Sequence, residues 1–470
     1  MGGFTGCRIP VCSIAVAAVL FSGCSPRLGA GGISIPSVPG EAFPAAGSPV
    51  GTYIKHVVII IQENRTFDNV FYNYPGENSP PFGYMRTSTA RNATVVKVPL
   101  TPAPFGKQDE CHAFSCGILD FDRGKMDGFG LPMINPGESA GTSAYTYLPR
   151  SQVAPYWAMA KQYVLADRMF TTQFDASFVG HLDLVAGTSS VASDESVVEV
   201  PTASPWGCGA TKGAKTWLLT QGRTISPTGP FPCFTQFATL ADTLDDAGVS
   251  WKYYAPAAGK SGYLWSIFQS IASVYKGRDW KRNVVNPQTK VLQDAASGKL
   301  PSVSWVVPDG PDSDHAGNSS DHGPSWVASV VNAIGEGPDW NSTAIVVVWD
   351  DWGGWYDHVP PPQLDFRGLG MRIPCIIISP YARRGYISHT QYEFGSILHF
   401  TEQAFNLPSL GTNKVGPAPN DRGYTDVRGA SIVDSFDFTQ KPRTFKPIPA
   451  PYPMSAFVNE RPSGEPPDDY

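Results

Sequence analysis

The sequence predicts an α/β fold with a mostly parallel central sheet flanked by helices. Short continuous runs of β-branched and aliphatic residues recur along the chain, as expected of strands covered on both faces. Helical patterns with one apolar face alternate with those runs. Glycine and proline, 47 and 44 of the 470 residues, punctuate the connections and argue against a helical bundle. A hydrophobic content of 42% excludes wholesale disorder. A net charge of -6 with no basic block argues against nucleic acid as a partner.

In chain order, Arg8 and the apolar run from Ile14 to Phe21 read as a signal peptide over residues 1–23, too short to span a bilayer well. Ser22 and Gly23 lead into Cys24, which resembles the lipidation site of a bacterial lipoprotein. The expected mature protein is exported to the cell envelope and held at the membrane by acyl chains on Cys24. An ordinary secretory signal cut nearby is the alternative. Residues 24–50, rich in Gly, Pro, Ser and Ala, read as a tether.

One domain is expected over residues 51–440. Its first buried strand is Val57 to Ile61. Segments 75–150 and 190–235 lack clear periodicity and read as loop-rich insertions capping the site. Leu240, Leu244 and Ala247 form a helical face before Gly248, leading into a strand at Val249 to Tyr254. Val303 to Val307, Ile345 to Trp349 and Ile373 to Ile378 are further strands. Trp326, Val327, Val330, Val331 and Ile334 line one face of a helix from Pro324 to Ile334, with Gly335 as its stop. Residues 441–470 read as an extended, proline-rich tail.

Beyond Cys24 there are five cysteines, and an exported protein can oxidise them. Proximity in sequence suggests Cys111–Cys116 and Cys208–Cys233, with Cys375 a buried thiol inside a strand. No CxxC occurs, so a thiolate zinc site is not expected.

Ligands of open α/β sheets bind beyond the carboxyl ends of the strands. The first strand ends in Gln62-Glu63-Asn64-Arg65, and the strand from Ile345 to Trp349 ends in Asp350-Asp351. Their carboxylate and amide oxygens suit a divalent cation such as Ca²⁺, Mg²⁺ or Mn²⁺. Ser177, in Asp175-Ala176-Ser177-Phe178-Val179-Gly180-His181, precedes a mostly apolar stretch and could open a helix whose N–H groups favour an anion. Alone it would be read as a helix cap. A metal beside it would make it a nucleophile. The segment is not a Gly-x-Ser-x-Gly elbow. Among the histidines, His112, His315, His322 and His358 lie in polar or Gly/Pro-rich surroundings and could meet phosphate oxygens or a leaving group. His56 and His399 read as structural.

Five blocks, in order, resemble the phosphoesterase family of bacterial acid phosphatases and phosphatidylcholine-type phospholipases C. They are His56 to Asp68, Gly124 to Phe129, Ser177 with Gly187-Thr188-Ser189 behind it, Asp314-His315, and Asp350 to Pro362. The resemblance covers roughly residues 53 to 410, and its first and last blocks are long and specific. It implies an alkaline-phosphatase-like fold and a phosphorylated Ser177. Glu63, Asn64, Asp350 and Asp351 would bind one divalent metal ion (Ca, Mg, Mn or Zn). His112, His315 and His358 would hold the phosphoryl group or assist the leaving group, while His322 and Asp127 would meet the substrate. The family usually has Glu at Asp351 and His at Trp352, and Val179-Gly180-His181 replaces the Pro-Asn-Arg of many lipases. The implied substrate is a phosphate ester, with phospholipid the other candidate. The chain ends soon after these blocks, which favours small esters. A non-catalytic surface lipoprotein binding phospholipid or sugar, and a serine esterase, are the rival readings.

Overall fold

In a computed structural model the described residues are 49–106, 109–317, 321–412 and 424–458. The expected signal segment, Cys24 and nearly all of the tether lie outside them. Eight strands form the central sheet: β1 (His56–Gln62), β2 (Val164–Phe170), β3 (Trp251–Tyr254), β4 (Val284–Val285), β5 (Val303–Val306), β6 (Thr343–Trp349), β7 (Arg372–Ile378) and β8 (Tyr386–Ser388). Their order is β4-β3-β5-β1-β6-β7-β2-β8. All neighbours are parallel except at β7, which runs antiparallel to both β6 and β2. The sequence predicts a parallel strand at Ile373 to Ile378, and the structure corrects this. A continuous apolar run reports burial of both faces, and β7 is buried throughout, but it carries no information about direction.

Helices cover both faces. Ile59 pairs with Trp305 and Val346, so those side chains share a face, while Trp349, three residues on, points to the other. Trp305 donates its indole N–H to Leu184 O of α3 (Ser177–Ala186) at 3.2 Å. That face also carries α4 (Leu240–Asp246) and α7 (Phe394–Phe405). Trp349 packs edge-on against Tyr156 of α2 (Ala154–Gln162), centroids 4.9 Å apart. α5 (Lys290–Ala296) and α6 (Gly323–Gly335) complete that side.

The two aperiodic segments are not featureless. A hairpin (82–86 with 95–99), the helix α1 (Phe114–Phe121) and a four-stranded sheet (190–226) form the first and second of them. They share a separate apolar cluster with Trp352 and Tyr356 of the loop after β6. The cap is thus built onto the loop that carries Asp350 and Asp351.

Residues 441–458 lie on the body of the protein. Ile448 exchanges two hydrogen bonds with the Asn332 amide, Trp340 Nε1 donates to Arg443 O at 2.8 Å, and Phe457 packs on Trp326. Cys111–Cys116 and Cys208–Cys233 are disulfides, and Cys375 is a buried thiol.

Candidate active site at the ends of β1 and β6

β1 and β6 are adjacent and in register to their last residues, Gln62 opposite Trp349, so the residues just beyond each strand arrive at one place. Asp350 N donates to Gln62 O and Arg65 N to Asp351 O, which knits the two strand ends together. Asn64 has φ 59, a left-handed conformation that asparagine tolerates better than most residues. Its backbone N–H donates to Asp350 Oδ1 at 2.9 Å. Gly353 faces it: a Cβ there would stand 2.3 Å from Asn64 O. Gly180 of α3 lies against Asp350, where a Cβ would be 2.5 Å from the carbonyl oxygen, so only glycine lets α3 come this close.

Ser177 is the first residue of α3, and the cap position belongs to Ala176, which makes no side-chain cap. The serine hydroxyl is free for other work. Its Oγ lies 3.3 Å from Asp351 Oδ2 and 3.4 Å from Asn64 Oδ1, and the residue is buried. One turn later His181 Nε2 stands 3.0 Å from Glu63 Oε1 and 3.8 Å from Asp350 Oδ2. Burial pushes the His181 pKa down to about 4, with Asp350 opposing, so the imidazole is neutral and able to coordinate. The same burial, reinforced by Asp350, holds the Asp351 carboxyl well above the usual range.

Glu63, His181 and Asp350 each offer a ligand atom, all within 4.8 Å of one another. Asp350 Oδ2 is buried and receives no hydrogen bond from the described residues. A buried carboxylate oxygen in that state is costly unless a cation meets it. The donor set, two carboxylates and a neutral imidazole, therefore fits a divalent metal ion.

His112 Nε2 is 3.2 Å from Asn64 Nδ2, and its Nδ1 bonds Glu110 O at 2.9 Å. The His315 ring meets it edge-on, centroids 5.7 Å apart, and stacks on Trp265. Asp314 holds this loop: its Oδ2 accepts from Tyr156 at 2.8 Å and Trp349 Nε1 at 3.0 Å, and its N–H donates to Gln62 Oε1 at 2.8 Å. Burial raises its pKa to about 7 against the pull of Arg65.

Three expected site residues are seated differently. His358 bonds Asp68 Oδ2 at 2.7 Å beside Asp357, and Arg372 binds both of those carboxylates. His322 precedes α6, with its ring on Tyr452 and Nδ1 3.7 Å from Asp312 Oδ1. Asp127 pairs with Asp122 near Arg86 and Lys125 in the cap. Trp352, where the resembled family has histidine, is fully buried and donates to Asp120 Oδ2 at 3.1 Å. The residue missed from sequence is His181. Its spacing of four from Ser177, one turn on the same helix face, was the available signal.

The sequence is also similar to those of known proteins. The chain is 25% identical over 462 residues to the non-hemolytic phospholipase C of Burkholderia pseudomallei, covering 84% of this chain and 61% of that protein. It is 24% identical over 460 residues to phospholipase C A of Mycobacterium tuberculosis, covering 84% of this chain and 79% of that one. A solved alkaline phosphatase superfamily protein from Vibrio parahaemolyticus aligns over 75% of this chain and 66% of its own, at 9% identity and a TM-score of 0.37, too distant to carry weight. A family model matches residues 54–408, spanning both strand ends, α3 and the cap, and the chain belongs to the Phosphoesterase family, hydrolases of phosphoric ester bonds.

Proposed function

We propose that this chain hydrolyses phosphate esters through a phosphoserine on Ser177, beside one divalent cation held by Glu63, His181 and Asp350. The observation that carries the reading is Ser177 Oγ, placed between Asp351 Oδ2 and Asn64 Oδ1 at the start of α3. The cation, when bound, supplies the positive charge that favours ionised serine oxygen and draws on phosphoryl oxygen charge. Asn64 and Asp351 orient the serine oxygen for in-line attack on phosphorus. The N–H groups opening α3 face the incoming anion. His112 and His315 converge beside Asn64, where they take up phosphoryl charge or deliver a proton to the departing alcohol. Water then hydrolyses the phosphoserine.

Both relatives above are named phospholipases C, which favours a phospholipid headgroup ester as a second substrate class beside small phosphomonoesters. Turnover of a chromogenic phosphomonoester and of a chromogenic phosphocholine ester, before and after chelation, tests the reading. Loss on chelation and recovery with one of Ca²⁺, Mg²⁺, Mn²⁺ or Zn²⁺ is expected. Turnover that survives exhaustive chelation contradicts the cation, and turnover of carboxylic esters alone would mark a serine esterase. Export and anchoring through Cys24 belong to the same proposal, and mass spectrometry of membrane-extracted protein should find acyl chains on Cys24.

A further inference from the structure

We infer that the Cys111–Cys116 disulfide positions His112 for the reaction, so that it sets the rate of turnover and not only the stability of the cap. The inference rests on the reading of His112 as a group that meets the phosphoryl oxygens.

His112 sits on a short strap between Asp109 and α1 that has no regular structure. The helix that follows has no cap of its own, since Ala113 makes no side-chain hydrogen bond; its first N–H, of Phe114, donates instead to Glu199 Oε1 at 3.0 Å. That contact holds the helix but not the peptide before His112, and the disulfide holds that peptide. It ties Cys111, the residue immediately before His112, to Cys116, the third residue of α1. The peptide carrying the imidazole is thereby closed into a ring with the first turn of the helix. The second bridge, Cys208–Cys233, has a sequence separation of 25 and is flanked in sequence only by glycine, proline and phenylalanine.

The ring is wedged against the catalytic loop. A Cβ on Gly354 would lie 2.6 Å from Glu110 Cβ and 2.8 Å from Cys111 O, and one on Gly117 would lie 3.1 Å from the Trp352 ring. From there a line of contacts runs to the nucleophile. His112 Nδ1 is fixed by Glu110 O, His112 Nε2 meets Asn64 Nδ2 at 3.2 Å, and Asn64 Oδ1 lies 3.4 Å from Ser177 Oγ. Opening the ring frees the peptide before His112 while leaving every catalytic side chain present. Misplacing a group by about 1 Å can cost about 100-fold in rate.

The test is a double-mutant cycle in kcat and KM on a chromogenic phosphate ester. Cys111→Ser with Cys116→Ser should lower kcat about 10- to 100-fold and change KM less than about threefold. In a His112→Ala background the same pair should lower kcat by less than about twofold further, because the disulfide acts through the imidazole. A purely structural bridge would instead cost the same factor in both backgrounds, and that result overturns the inference, as does a kcat within about twofold of wild type. If the double variant does not fold, folded wild-type protein is treated with dithiothreitol, which breaks the S–S bond by giving two electrons and two protons. The thiols are then alkylated, mapped, and assayed by the same criteria. A His112→Ala variant with full activity sinks the role of His112 and this inference with it, whereas a wild type inactive on every phosphate ester sinks the functional reading itself.

Discussion

The Glu63–His181–Asp350 group and the Asp68–Asp357–His358 group are built from the same residue types, two carboxylates and an imidazole, and both lie where the segments after β1 and β6 meet. They differ in what neutralises them. In the second group Arg372, the first residue of β7, donates to Asp357 at 3.0 Å and to Asp68 at 3.0 Å, and also reaches Glu77. Burial alone would weaken that guanidinium, but the three carboxylates hold its pKa above the ordinary value. Burial would likewise raise the Asp68 pKa, yet His358 and Arg372 hold it below the usual range. In the first group no such cation among the described residues donates to Asp350 Oδ2, His181 is neutral, and a serine hydroxyl lies alongside. Similar composition can thus serve two ends: the group completed by a protein cation ties loops together, and the proposed function gives the other group its ion and substrate.

Variants can break this comparison. The largest effect is expected at the nucleophile: Ser177→Ala should lower turnover about 10⁴-fold or more while the protein still folds and binds metal. Activity within about tenfold of wild type would place the nucleophile elsewhere. Next, Arg372→Met leaves buried carboxylates without their partner and should cost about 3–5 kcal/mol in denaturant unfolding. A loss below about 1 kcal/mol would show that Arg372 is not what completes the second group. A smaller contrast separates the histidines. His112→Ala and His315→Ala should each cost about 10²- to 10³-fold in kcat, as for groups that stabilise developing charge. His358→Asn should cost less than about tenfold, and a loss as large as that of His112→Ala would return His358 to the reaction.

The smallest effect concerns pH. Burial would raise the Asp365 pKa, but Arg367 and Arg428 lower it to about 2. A carboxylate whose folded pKa is depressed stabilises the fold above its ordinary pKa and loses that contribution as pH falls. About 2 kcal/mol should therefore disappear between roughly pH 4 and pH 2, and Asp365→Asn should flatten that limb of the stability profile.

Physical signal decides which of these features are legible in the sequence. β1 and β6 announce themselves as unbroken apolar runs, and the acids at their ends fall beside one another because the strands are parallel neighbours. β2 is invisible because Asp167 and Arg168 interrupt it: Asp167 pairs with His389 at 2.6 Å, and Arg168 is exposed. The direction of β7 is unreadable because burial on two faces is the same either way. Among site residues, Glu63, Asn64, Asp350, Asp351 and Ser177 do converge, with Asn64 and Asp351 reaching the serine and Glu63 and Asp350 facing His181. His181 escapes notice because it stands in a buried helix, where histidine more often packs than coordinates. His358 falls in a block that points to the reaction, yet its partners, Asp68 and Arg372, come from segments far from it in sequence or hidden at the head of an apolar run.

The claim that the Glu63–His181–Asp350 group awaits a cation is tested most directly by thermal unfolding of metal-free protein titrated with Ca²⁺, Mg²⁺, Mn²⁺ and Zn²⁺. At about 100 times the dissociation constant, the cognate ion should stabilise the wild type by about 2.7 kcal/mol and give no such gain in Asp350→Asn. An equal gain in both proteins, or none from any of the four ions, would contradict it.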